Sequence, residues 1–232
     1  MIKNLREELN KALGGAEEKL LIGRKKKEAF LAHADRVLEL STEFGKRLDL
    51  DDFTMTRIEA TALLHGIDDL KFPLSDSSAI LNQLECSETI KERVLLSIKP
   101  IGFEKRLKGV HPGVIEAMVV ADADLCDAMG VSGILRLIEE NKAVGRPFFD
   151  PNMAPRDYLN YDLYTKYPSA TTVNCIFEKL FRSKKMMCTS PGLTEATIRK
   201  LHMEDFMRSY FRENNLIWWE TWMDKYFKYL EI

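Results

Sequence analysis

Apolar residues recur along the chain at helical spacing, and the pattern is broken by glycine and proline in the places that end helices. Leu5, Leu9 and Leu13 form one stripe, closed by Gly14-Gly15. A second helix is predicted over 28–48, with Phe30, His33, Val37, Leu40 and Phe44 on one face. A turn over 49–54 follows, and Thr56 is the expected cap of a third helix from Arg57, carrying Ile58, Ala62 and His65 on one side. Lys71-Phe72-Pro73 ends that segment, because proline disfavours helix in the residue before it.

Residues 75–84 and 89–98 read as two further helices. Pro112 lies just inside the start of the next, which runs to about Met129 and stops at Gly130. A short helix spans 132–141. Residues 145–168 are rich in proline and tyrosine without a period, which predicts a long ordered loop with at most a turn of helix. Helical spacing resumes over 172–181 and 194–214, and 218–230 forms an aromatic C-terminal helix. No alternating strand and no internal repeat is found. The fold class is all-α, a helical bundle in one domain over 1–232 with its core at about 28–215.

Composition narrows the function classes. The 232 residues are 45% hydrophobic, and 34 Lys and Arg against 36 Asp and Glu leave a charge of −2. Such a chain can bury a core, which excludes wholesale disorder. The near-neutral balance gives no cation excess for phosphate backbones, so no nucleic-acid partner is expected. The run Arg24–Lys27 is flanked by Glu17, Glu18 and Glu28 and reads as a solvated helix start. No apolar run approaches the length of a membrane span, and the N-terminus lacks the apolar stretch of a signal peptide. The four cysteines make no CxxC pair, so a reducing, cytoplasmic setting is expected.

Three features break the pattern of a bland bundle. His33 and His65 occupy core stripes of consecutive helices. The segment 115–129 is apolar nearly all round, yet carries Asp122, Asp124 and Asp127. A carboxylate withdrawn from water costs several kcal/mol or more unless it is paired or bound to metal. Two imidazoles and a carboxylate on three core helices form a candidate site for a divalent ion.

His33-Ala34-Asp35-Arg36, then ALLHGIDDLKF at 62–72 and VVADADLCDAMGVSGI at 119–134, resemble the HD-domain metal-dependent phosphohydrolases. The nearest subtype is the small bacterial proteins related to nucleoside triphosphate pyrophosphohydrolases, which later segments at 145–151, 177–189 and 199–211 also resemble. The resemblance implies an HD-domain helical bundle binding one divalent ion (Mn, Mg, Co, Ni or Fe) and hydrolysing a nucleotide or related phosphate compound. By position it assigns His33, His65 and Asp124 as metal ligands, with Asp122 a second acidic residue beside the ligand. Asp69 matches the position that orients the attacking water in some HD hydrolases. Arg36, Lys71, Arg146 and Lys179 are the candidate cations for substrate phosphates, and Phe148, Phe149 and Tyr158 the candidate walls for a base or sugar.

The departures are Gly66, which stands where the family has the aspartate of its His-Asp pair, and Cys175, where the subtype carries histidine. They keep an alternative open: a degenerate HD-fold protein that binds a nucleotide or protein partner without turnover. A third class, a structural helical adaptor, requires the buried aspartates to be paired with side-chain cations. The aromatic tail offers either a homodimer contact or packing back onto the bundle, with the second preferred.

Overall fold

The computed structural model describes residues 2–18, 24–68 and 76–231, and among them there are helices and turns but no strand. They fall into two compact units, one of Met1–Asp127 with Met187–Gly192, the other of Ala128–Met186 with Leu193–Ile232.

The first unit is built from α1 (Ile2–Glu18), α2 (Arg24–Arg47), α3 (Asp52–Leu64), α4 (Ser77–Asn82), α5 (Glu88–Ile98), α6 (Phe103–Leu107) and most of α7 (Ile115–Ala128). Leu5, Leu9 and Leu13 are fully or almost fully buried, and pack with Leu63, Leu64, Ile67, Leu81, Val94 and Ile98. Helix α1 runs through Gly14-Gly15 instead of ending there. A glycine costs only about 1 kcal/mol in a helix interior, which the buried leucine stripe outweighs. Helix α3 starts earlier than Thr56. Asp51 is its cap and accepts from Thr54 N at 2.9 Å, whereas Thr56 Oγ1 donates back to the Asp52 carbonyl. Helix α6 has no counterpart in the sequence reading.

The second unit holds α8 (Gly130–Ala143), α9 (Tyr161–Lys166), α10 (Thr172–Cys175), a π-helical turn (Ile176–Leu180), α11 (Phe181–Ser183), a 3₁₀ turn (Lys184–Met186), α12 (Ser190–Glu213) from Leu193 onward, and α13 (Ile217–Glu231). Gly130 does not merely end a helix. At φ +82 it supplies the left-handed residue from which α8 begins. The single turn of helix in the 145–168 loop is α9, capped by Asn160.

Phe177, Phe181, Phe211, Trp219 and Phe227 are buried together in this unit. The Tyr226 hydroxyl donates to the Phe177 carbonyl inside the π turn, and burial pushes that phenol up to about 12. The aromatic tail therefore packs back on its own unit, with Trp218 left 60% exposed. Phe149 packs on Tyr210, Phe211 and Trp219, and Phe148 on Tyr210, while Tyr158 is exposed. Both phenylalanines are half-buried.

Candidate metal centre

Each residue of the centre is delivered by a helix with its own reason to be there. His33 lies on the stripe of α2 that also buries Phe30, Val37 and Phe44. His65 is the C-cap residue of α3, just beyond its fully buried stretch Ala60–Leu64. Asp124 is a partly exposed position on α7, between the buried Asp122 and Asp127.

The three side chains converge. His33 Nε2 is 3.0 Å from His65 Nε2 and 3.4 Å from Asp124 Oδ1, and His65 Nε2 is 3.7 Å from the same oxygen. Their ligand atoms all lie within 4.8 Å of one another. The outer nitrogens are already engaged, His33 Nδ1 with Asp127 Oδ2 at 2.9 Å and His65 Nδ1 with the Ala62 carbonyl at 2.7 Å. An imidazole that donates from Nδ1 to an oxygen offers its Nε2 lone pair inward.

The electrostatics follow from the same contacts. Burial lowers the His33 pKa, but hydrogen bonds to Asp124 and Asp127 overcome it and raise the ring to about 9. Burial pushes the Asp124 carboxyl up, and its bonds to His33 and His65 hold it well below the usual carboxylate range. A donor set of two imidazoles and a carboxylate, aimed at one point, fits a divalent transition ion.

Gly66 shows what replaces the missing aspartate. A Cβ on this residue would stand 3.1 Å from Phe30 Cε2 and 3.8 Å from Cδ2. Phe30 is only 8% exposed and part of the core of the first unit, so its ring is fixed against the bare backbone. Asp68, the neighbouring acid, accepts from Ser77 N at 2.8 Å.

The remaining site candidates divide. Asp122 is fully buried and does not join the cluster. It accepts from the backbone N–H groups of Cys188 and Thr189 and from Thr189 Oγ1, at 2.7–3.1 Å, and a Cβ on Gly192 would strike it. Its carboxylate anchors the 187–192 segment. Arg36 directs Nε and Nη2 to the two oxygens of Asp127, at 2.7 and 3.1 Å. In the second unit, Arg146 Nη1 donates to Asn141 Oδ1 at 2.6 Å, and Lys179 Nζ lies 5.9 Å from the Tyr164 ring centroid. Burial pushes the Cys175 thiol up, while the charges of Lys179 and Arg146 pull the other way. Asp69 and Lys71 lie outside the described residues.

Sequence reasoning saw Asp127 only as one more buried acid. Its spacing carried a signal: Asp124 and Asp127 are three residues apart on α7, as His33 and Arg36 are on α2, so both pairs share a helix face.

No protein-family model matches the chain. It is 30% identical over 183 residues to the uncharacterised protein YpgQ of Bacillus subtilis strain 168, covering 76% of this chain and 80% of that one. A crystal structure from Lactobacillus plantarum superposes with TM-score 0.72 at 26% identity, covering 92% of this chain and 98% of the other. An HD-superfamily hydrolase from Bacillus thuringiensis gives 0.65 at 27% identity, over 91% and 98%. A structure of YpgQ in complex with ADP gives 0.61 at 22% identity, over 90% and 96%. Helical fold, ordered motifs and extended sequence identity agree: the chain belongs to the family of YpgQ, within the HD-domain superfamily.

Proposed function

We propose that the protein is a metal-dependent phosphohydrolase acting on a nucleotide or a related phosphate ester or anhydride, with nucleoside triphosphate pyrophosphohydrolysis as the specific form. The observation that carries this reading is the convergence of His33, His65 and Asp124 with both outer imidazole nitrogens already occupied. The ADP in the YpgQ structure and the hydrolase assignment of the B. thuringiensis neighbour support it.

A divalent ion held there supplies Lewis-acid polarisation of a phosphoryl oxygen and lowers the pKa of water. The chain's own part is to present the Nε2 atoms of two imidazoles and one carboxylate from three helices, His33 releasing its Nε2 proton as the ion binds, so that little movement of the side chains is needed. Asp69 is the proposed group that orients the attacking water and takes its proton. Arg146, Lys179 and Lys71 are the proposed binders of anionic oxygens.

A second reading, a nucleotide- or partner-binding protein without turnover, draws on one observation. Gly66 withholds a ligand, and the Phe30 ring occupies the space beside it. The two readings part in a panel of nucleoside mono-, di- and triphosphates assayed with Mn²⁺. The hydrolase reading expects phosphate or pyrophosphate release that requires the ion and disappears in His33→Ala and His65→Ala. Release that persists in His65→Ala contradicts it. Ligand-dependent thermal stabilisation without release favours the second reading.

A further inference from the structure

We infer that Asp127 and Arg36 are positioning residues for His33, a relay that decides which imidazole nitrogen faces the cation. The inference rests on the metal reading above and gives Arg36 a role other than phosphate binding.

A histidine has two ring nitrogens, and the hydrogen bond made by one determines which proton state the other presents. Asp127 Oδ2 stands 2.9 Å from His33 Nδ1. An ionised carboxylate only accepts, so the proton of that bond sits on Nδ1, and the ring gives up its other proton from Nε2, leaving that lone pair pointed at His65 and Asp124. A single carboxylate oxygen is a loose guide unless the group is kept from rotating. Arg36 fixes it: Nε reaches Oδ1 at 2.7 Å and Nη2 reaches Oδ2 at 3.1 Å, a fork that holds both oxygens in one plane. The Asp127 side chain is 7% exposed, so this charge needs its partner.

The arrangement has a simple construction. One turn of α2 carries a ligand and its outer cation, His33 and Arg36. One turn of α7 carries a ligand and its outer anion, Asp124 and Asp127. The inner pair faces the cation position, and the outer pair locks to each other behind His33. His65 has no such support, because its Nδ1 uses the Ala62 backbone carbonyl. The relay therefore acts on one of the two imidazoles only.

The test is Mn²⁺ titration of the full chain, with free ion followed by electron paramagnetic resonance, and the fold of each variant checked by circular dichroism. Asp127→Asn should weaken Mn²⁺ binding by about 10–100-fold, the usual range for losing an outer partner of a ligating histidine. Arg36→Ala should weaken it less, and Arg36→Lys should recover only part of that loss, since an ammonium cannot grip two oxygens in one plane. Asp127→Asn added to His33→Ala should cost nothing further, because the relay acts only through His33. A purely structural Asp127 predicts equal losses in both backgrounds, and that result overturns the inference. Should Asp127→Asn fail to fold, Arg36→Ala combined with His33→Ala gives the same comparison. Wild-type affinity in Asp127→Asn overturns the inference while leaving the metal reading intact. Wild-type protein that takes up no Mn²⁺ overturns both.

Discussion

The two ends of helix α7 solve the same problem with different partners. At the N-terminal end Glu116 is completely buried, and it is met by Arg57 Nε at 2.6 Å and Arg93 Nη2 at 3.0 Å. At the C-terminal end Asp124 is met by two imidazoles that also face each other at 3.0 Å. Where a buried carboxylate only has to be neutralised, the fold supplies arginines, which are permanently charged. At Asp124 it supplies groups that can give up their protons to receive a cation. A structural adaptor would have paired Asp124 itself with arginine or lysine, as Glu116 is paired; the arginine at this end, Arg36, meets Asp127 instead.

Breaking the structural end should produce the largest effect on stability. Glu116→Ala leaves two arginines facing a buried gap, and by analogy with other severed buried pairs it should cost ~3–5 kcal/mol in urea unfolding. Asp124→Ala should cost clearly less in metal-free protein, because its partners can discharge as neutral imidazoles. Equal losses at the two ends would erase the distinction drawn here.

Next in size is the response to metal. Free Mn²⁺ at 100 times its dissociation constant should stabilise the wild type by about 2.7 kcal/mol. Glu116 variants that still fold should retain that gain, and His65→Ala and Asp124→Ala should lose it. Thermal melts with and without the ion read this directly.

Gly66→Asp comes third. Its Cβ stands 3.1 Å from a fixed core ring, so overpacking of ~1–3 kcal/mol is expected. Mn²⁺ affinity should rise only when Phe30→Ala accompanies it. A gain from Gly66→Asp alone would show that Phe30 yields easily.

The smallest effect is an acid dependence carried by carboxylates that arginines neutralise, Glu116 and Glu178. Burial pushes Glu116 up, but hydrogen bonds from Arg93 and Arg57 bring it below its ordinary 4.5. Burial also raises Glu178, and Arg156 and Ser169 more than reverse it. A carboxylate depressed in the folded state contributes its stability above the unfolded value and loses it as pH falls through the folded one. The urea midpoint should therefore decline as pH falls below about 5, with a shallower decline in Glu116→Gln.

Most of the helices were legible because burial leaves a periodic mark: Leu5, Leu9, Leu13 and the α2 stripe read directly from spacing. The three candidate ligands, His33, His65 and Asp124, stood out for the opposite reason, as polar groups where apolar ones were due. The boundaries were harder. Asp51 and Thr56 are both good caps, and only the tertiary course of the chain decides between them. The roles of Asp122 and Arg36 were hidden, since both depend on partners some 66 and 91 residues away in the chain. No local pattern tells which of these nearby aspartates faces the two imidazoles and which anchors a distant backbone segment. Phe30 beside Gly66 is a third such case, a contact that joins α2 to the residue after His65.

The most direct test of the central claim is metal content by elemental analysis, after dialysis against Mn²⁺ and removal of free ion. The account predicts one ion per chain, lost in His65→Ala and in Asp124→Ala but kept in Arg57→Ala. Protein that retains no ion, or that retains it equally in His65→Ala, would contradict the assignment of these three side chains as a metal centre.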